Sequence, residues 1–331
     1  MPDWPATGPV EAMIACFSGI SGCCATWTWE EAALHFDTIE YVGLRLVRRF
    51  FFTEKRLAAW GSRLPYYRVN AGLTDPVAVA GAYAGDLARL GLGIPGRRIL
   101  EIGCGATNGV GYALAVMGAA SVVCQEPYAR HDVGMDAKHL QALALAHPAV
   151  KFSVVRRITS LNDLPDASVD VVLSNSVLEH VADLPTLCAS LARVLAPGGV
   201  MLHRVDYRDH FFKYPFHFLL FSKRTWNWFL NPGDLPRWRY DDHANALARA
   251  GFPVSVLDYH RDDDAFAAVA DRLHEDFKDR DHAVLSITQA TLVCSGLRRP
   301  GEALPPLDPT AGGPEAPRTP PPGEGSQGAA R

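Results

Sequence analysis

The sequence predicts an α/β fold built on a doubly wound, mostly parallel sheet, and three observations predict it. Short β-rich apolar runs alternate with helix-like segments from Gly96 to about Gly296. The early runs are continuously apolar, as suits strands covered by helices on both faces. The first of them, "RILEI", leads directly into a glycine-rich turn and a helical pattern, "GCGATNGVGYALAV".

Taken in order, residues 1–33 show no clear period, and residues 34–95 read as an N-terminal helical cap. In "FDTIEYVGLRLVRRFF", Ile39, Val42, Leu46 and Phe50 recur at helical spacing, with Arg45, Arg48 and Arg49 among them. "TDPVAVAGAYAGDLARLG" has a cap residue at Thr74 or Asp75, proline in the first turn and glycine past the end. Residues 96–297 hold the strand candidates "RILEI", "SVVCQ", "VKFSVV", "VDVVLS", "GVMLHRVD", "PVSVLD" and "TQATLVCS". The helix-like stretches between them imply βαβ units. Residues 207–239 are long for a connection and read as an insertion or lid. In residues 298–331 proline and glycine dominate, and a disordered tail is expected there.

Of the 331 residues, 48% are hydrophobic and 21% charged, an ordinary globular composition. A formal charge of −4 gives no electrostatic footprint for nucleic acid, and no such partner is expected. The seven cysteines are scattered, odd in number and without a CxxC pair, which reads as reduced thiols. The first Lys or Arg is Arg45, and the apolar run from Val10 to Trp27 is broken by Glu11, Gly19 and Gly22. Neither a secretory leader nor a stable membrane span is expected, and the cytoplasm is the expected location.

Glycine turns between a first strand and its helix bind nucleotides, because bare backbone approaches the ligand and the helix N-terminus offers free N–H groups. The dinucleotide version fits poorly here: Gly103 and Gly105 match, but Asn108 stands in the third glycine's place and Gly109 comes one residue late. Glu101 at the end of the first strand would repel a pyrophosphate, so a cationic ligand suits it better. Glu126, ending the second strand, can accept hydrogen bonds from both hydroxyls of a ribose. An adenosine joined to an amino acid, with an ammonium and a sulfonium, satisfies both acids; that molecule is S-adenosylmethionine. Its carboxylate can sit against the backbone N–H groups near Gly103 to Gly105.

Four stretches, "ILEIGCGATNG", "VVCQEP", "LPDASVDVVLSNSVLEHV" and "LARVLAPGGVMLHRVD", resemble those of class I S-adenosylmethionine-dependent methyltransferases of the broad type 11 group. They cover roughly Gly96 to Asp206, with a looser match to Ser295. The resemblance implies a seven-stranded sheet, last strand antiparallel, with the cofactor across the C-terminal edges of the first strands. It implies a cofactor-binding set of Glu101, Gly103, Cys104, Gly105, Gly109, Glu126, Pro127, Ile158, Ser174 and Asn175. Two departures stand out. The turn is GxGxxxG, with Thr107 in place of a glycine, and no acid follows the third strand, where "VVRRITSLNDLP" offers Ile158, Thr159, Asn162 or Asp163 near the adenine.

By the same resemblance, acceptor groups come from the ends of the fourth and fifth strands. In "SNSVLEHV", Ser174 and Asn175 line the crevice, and Glu179 and His180 beyond them are either a base pair or capping and packing groups. In "HRVDYRDHF", alternation puts His203, Val205 and Tyr207 on one face and Arg204 and Asp206 on the other. His180, His203, Asp206 and His210 are therefore the catalytic candidates. A divalent metal on His203, Asp206 and His210, or a plain polar rim, are the other readings, and no metal ligand set is assigned. The insertion mixes many aromatics with Lys213, Lys223, Arg224, Arg237 and Arg239, which suits a sugar-like, aromatic or anionic acceptor, a packed subdomain, or peripheral membrane contact. "DYRDHF" and "TWNWFLNP" look similar to methyltransferases of bacterial surface-polysaccharide gene clusters. The expected activity is methyl transfer from S-adenosylmethionine to a small-molecule or glycan-precursor acceptor, at oxygen. A non-catalytic cofactor-binding protein and an NAD-linked oxidoreductase are the rival readings.

Overall fold

The computed structural model describes residues 29–51, 75–210, 213–231 and 235–295. The expectations for residues 1–28, for residues 52–74 of the helical cap and for residues 298–331 lie outside the described residues. Two compact units divide between Gly43 and Leu44. Of the first, the described part is the beginning of helix α1, Trp29–Phe51.

The second unit is organised by a seven-stranded sheet in the order β3-β2-β1-β4-β5-β7-β6. Its strands are β1 (Arg98–Ile102), β2 (Ser121–Gln125), β3 (Val155–Ile158), β4 (Val169–Asn175), β5 (Leu195–Asp206), β6 (Val254–Arg261) and β7 (Ile287–Ser295). All neighbours pair in parallel except β7, which runs antiparallel to both β5 and β6. The expected doubly wound, mostly parallel sheet is thus the observed one.

Helices cover both faces, and the alternation along β1 shows why. Ile99 packs in one apolar cluster with Tyr83 and Leu87 of α2 (Pro76–Arg89) and Leu114 of α3 (Gly109–Val116). Leu100 and Ile102 face the opposite cluster, with Leu191 of α5 (Leu184–Val194) and Leu247 of α6 (Tyr240–Arg249). Helix α4 (Val133–Ala146) follows β2, and α7 (Asp263–Ala270) and α8 (His282–Leu285) lie between β6 and β7. Helix α2 begins as its sequence dictates: the Asp75 side chain accepts from the Val77 N–H at 2.9 Å, and Pro76 occupies the first turn.

Two local expectations are corrected. The third strand is "VRRI" rather than "VKFSVV": Phe152–Val154 form a 3₁₀ turn, and Phe152 stands edge-on to Tyr112 with ring centroids 6.0 Å apart. In α1 the periodic Ile39 is 60% exposed, whereas Arg45 is 2% exposed. Arg45 is held by an ion pair with Asp209 and lies over the Trp226 ring at 5.0 Å.

The insertion is a packed subdomain among its described residues. Trp226, Phe216 and Phe218 are buried, and Arg239 sits among Tyr207, Phe216 and Phe218 with its guanidinium carbon 5.3–5.9 Å from their ring centres. Arg239 also donates to the carbonyls of Tyr207, Leu285 and Ile287. Arg237, which donates to the Phe218 and Phe221 carbonyls, and Arg239 are therefore buried ties within the subdomain. No helix among the described residues is long and apolar enough to cross a membrane.

Candidate functional site

Strand order reverses between β1 and β4, and open α/β sheets bind ligands outside the carboxyl ends of the strands at such a switch point. One register row marks that edge: Ile158, Gln125, Ile102, Ser174 and His203 are successive Cα partners across β3, β2, β1, β4 and β5. The residues one step further, Gly103, Glu126 and Asn175, accordingly come together at one rim. Gly103 and Gly105 have φ of +70° and +67°, the left-handed region that glycine enters without strain. A Cβ on Gly103 would lie 2.4 Å from a methyl of Val177, whereas one on Gly105 would meet nothing within 4 Å. The first glycine lets the β4 turn close in, and the second faces open space.

Glu101 is 3% exposed and makes no ion pair among the described residues. Its only hydrogen bond there comes from the Cys124 thiol, 3.7 Å away across the strand pair. Burial pushes its carboxyl up to about 8, against smaller opposing effects of the thiol and of Arg157. A buried carboxyl with no cation paired to it, beside an open glycine turn, fits a ligand that brings its own positive charge.

Glu126 is buried and engaged with its own turn. Its carboxylate accepts from the backbone N–H of Gly105 at 3.0 Å, Tyr128 at 2.9 Å and Ala129 at 3.0 Å. It directly follows β2, at the position where the sequence reading expects a ribose-binding acid. Arg157 of β3, which the sequence reading passed over, donates to the Gly105 carbonyl at 2.6 Å, the Cys104 sulfur at 3.1 Å and Asn108 Oδ1 at 3.2 Å. Asp136 braces the turn from behind, accepting from the Asn108 N–H at 2.6 Å and the Tyr112 hydroxyl at 2.8 Å. Gly109 is buried against His139 and Pro76, so its missing side chain serves packing between helices. Pro127 is exposed, and Ile158 is buried at the edge of β3.

On the other side of the crevice, His203, Val205 and Tyr207 share the buried face of β5. His203 is corrected as a base candidate: it is wholly buried, shares a 2.8 Å hydrogen bond with the Ser174 hydroxyl, and is driven down to about 3 by desolvation and by His243. Ser174 is equally buried, leaving half-buried Asn175 as the crevice-facing residue of that pair. His243, also missed, has its Nε2 3.1 Å from the Leu178 carbonyl. It must donate there, so its Nδ1 accepts from the Tyr207 hydroxyl at 2.9 Å.

Asp206 reaches the rim and takes both ends of the Arg208 guanidinium, at 2.6 and 3.0 Å. The alternative metal grouping of His203, Asp206 and His210 does not form. Instead Glu179 and His180, from the 3₁₀ turn Leu178–His180, meet His210 beyond β5. A polar cleft of about 280 Å³ at the ends of β4 and β5 is lined among others by Asn175, Ser176, Arg204, Asp206, Tyr259 and His260.

Residues 100–203 match the family described as a methyltransferase domain, type 11. Residues 100–203 are thus similar to a methyltransferase domain, and the sheet topology is the one expected of the class I S-adenosylmethionine-dependent fold. The match stands against the NAD-linked alternative. An uncharacterised methyltransferase of Mycobacterium ulcerans is 34% identical over 38% of this chain and 49% of its own length. A ubiquinone biosynthesis O-methyltransferase of Mesorhizobium japonicum is 36% identical over 32% of this chain and 39% of its own. A phosphoethanolamine N-methyltransferase of Triticum aestivum is 32% identical over 33% and 20%. The chain thus spans half or less of the length of these three relatives, whose names include both oxygen and nitrogen methylation.

Proposed function

We propose that this protein transfers the methyl group of S-adenosylmethionine to a hydroxyl of a small molecule or glycan precursor. The observation that carries the reading is the buried Glu101 carboxyl, free of any ion pair among the described residues, beside the left-handed Gly103 and Gly105 at the switch point. When bound, the cofactor supplies a methyl group already activated on a sulfonium. Glu101 would hold its ammonium, the N–H groups of the glycine turn with Arg157 its carboxylate, and Glu126 its ribose hydroxyls.

What is left to the protein is to align the acceptor, exclude water and remove a proton. The cleft beside Asn175 and Asp206 is the proposed acceptor pocket; about 280 Å³ suits a small ligand or the end group of a larger one. A hydroxyl needs its proton taken as the new bond forms, and the rim offers Asp206, His180 and His210 for that work. The test is incubation of purified protein with methyl-labelled S-adenosylmethionine and panels of hydroxylated and amine acceptors. Label entering hydroxyl acceptors supports the reading, label confined to amines overturns the oxygen assignment, and tight cofactor binding with no transfer favours a non-catalytic binder.

A further inference from the structure

We propose that Glu179, His180 and His210 form a divalent transition-metal site at the rim of the crevice. One donor atom from each lies within 4.8 Å of the other two, and the two imidazole centroids are 4.8 Å apart. The three come from two separate segments, the turn after β4 and the loop after β5, so sheet pairing and not sequence proximity assembles them.

Burial shapes the cluster as a cup. Glu179 is 2% exposed and forms the floor, whereas both histidines are half-buried. One carboxylate oxygen of Glu179 accepts from the Asp206 N–H at 3.4 Å; the other is sealed from water and has no hydrogen-bond partner among the described residues. Buried carboxylate oxygens are ordinarily satisfied, and an oxygen left open next to two imidazoles is a ligand position. The nearby arginines already have carboxylates, Arg208 with Asp206 and Arg45 with Asp209.

Two imidazoles and one carboxylate form a donor set suited to zinc and neighbouring first-row divalent ions, and poorly suited to magnesium or calcium, which prefer oxygen. Three protein ligands leave a fourth position for water or substrate, the pattern of a catalytic site. A tetrahedral ion about 2.1 Å from each donor holds the donors about 3.4 Å apart, so the side chains close by up to about 1.4 Å on loading. Val177, in the same turn as Glu179, touches Gly103, which places the cup on the crevice proposed for the cofactor. Resting on the methyl-transfer reading, the metal would bind the acceptor oxygen and lower its pKa, with the proton passing to Asp206 while the two histidines stay as ligands. The binding itself does not depend on that reading.

The test uses full-length, tag-free protein stripped with chelator, then titrated calorimetrically with zinc and separately with magnesium. Cobalt loading is followed by visible absorption. One equivalent of zinc, no magnesium heat, and at least tenfold weaker zinc binding in His210→Ala and in His180→Ala are expected. Both variants should keep the thermal melt and the affinity for S-adenosylhomocysteine of the unaltered protein. Absence of stoichiometric zinc, or zinc affinity unmoved in a variant carrying both His180→Ala and His210→Ala, overturns the site. Because Glu179→Gln risks misfolding, the half-buried histidines carry the test. Zinc bound at these residues in a protein that methylates nothing supports the site while sinking the enzymatic reading. Methyl transfer by protein that binds no zinc does the reverse.

Discussion

The crevice has two halves built on different physics. The half at β1 and β2 is made of contiguous sequence: Glu101, Gly103 and Gly105 lie within five residues, and the backbone conformation of the glycines sets their geometry. The half at β4 and β5 is made of long-range pairings. Ser174 meets His203, Tyr207 meets His243, and Arg239 gathers the carbonyls of Tyr207, Leu285 and Ile287. A local motif can announce the first half. The second depends on which partners the fold delivers, and its polar groups serve stability as much as chemistry.

The largest expected effect lies in that second half. Arg239 is wholly buried, and its replacement by alanine leaves three carbonyls without their donor. Breaking such a buried polar centre costs about 3–5 kcal/mol, and urea denaturation of Arg239→Ala should show a loss of that size. Arg157→Ala, in the glycine-turn half, should cost under about 1 kcal/mol of stability, since its site is only partly buried, and should act on cofactor affinity instead. Equal stability losses in the two variants would erase the distinction between the halves.

Acid sharpens the same comparison at the next magnitude. Burial holds His203 down to about 3 and His243 to about 4, below the ordinary histidine value of 6.5. The neutral rings therefore contribute stability that is fully present above pH 6.5 and is lost as pH falls through 6.5 toward 4, where the unfolded chain binds protons that the folded core refuses. Each ring changes stability by about 1.4 kcal/mol per pH unit in that window. Urea midpoints should drop steeply between pH 6.5 and 4.5, and His243→Gln should flatten the slope. An unchanged slope would mean the ring is not buried neutral.

The smallest effect falls on the turn. Alanine at Gly105 meets open space and costs only the left-handed conformation, about 1 kcal/mol. Alanine at Gly103 also strikes Val177 and should destabilise more. Thermal melts of the two variants should rank them in that order, with Gly105→Ala impairing cofactor binding out of proportion to its stability loss.

The difference between the halves also explains what the sequence disclosed. Apolar runs and helical spacing placed six strands closely, but "VKFSVV" misled because β-rich composition does not register that Phe152 turns aside to pack on Tyr112. Period-two alternation put His203, Val205 and Tyr207 on one face, and all three are buried. It carried no information on depth, so a core histidine was read as a base. Arg157 escaped notice because its partners lie 49–53 residues earlier. Glu179 and His180 were visible as a pair, yet nothing local joins them to His210, thirty residues on.

The central claim is that Glu101 confers preference for a cationic nucleoside, and calorimetric titration of S-adenosylmethionine into the unaltered protein and Glu101→Gln tests it most directly. The glutamine keeps the shape and removes the charge. Truncating one partner of a buried charge pair costs about 2 kcal/mol or more, so affinity should fall at least about thirtyfold while the melt is unchanged or improved. Equal affinities in the two proteins would contradict the account.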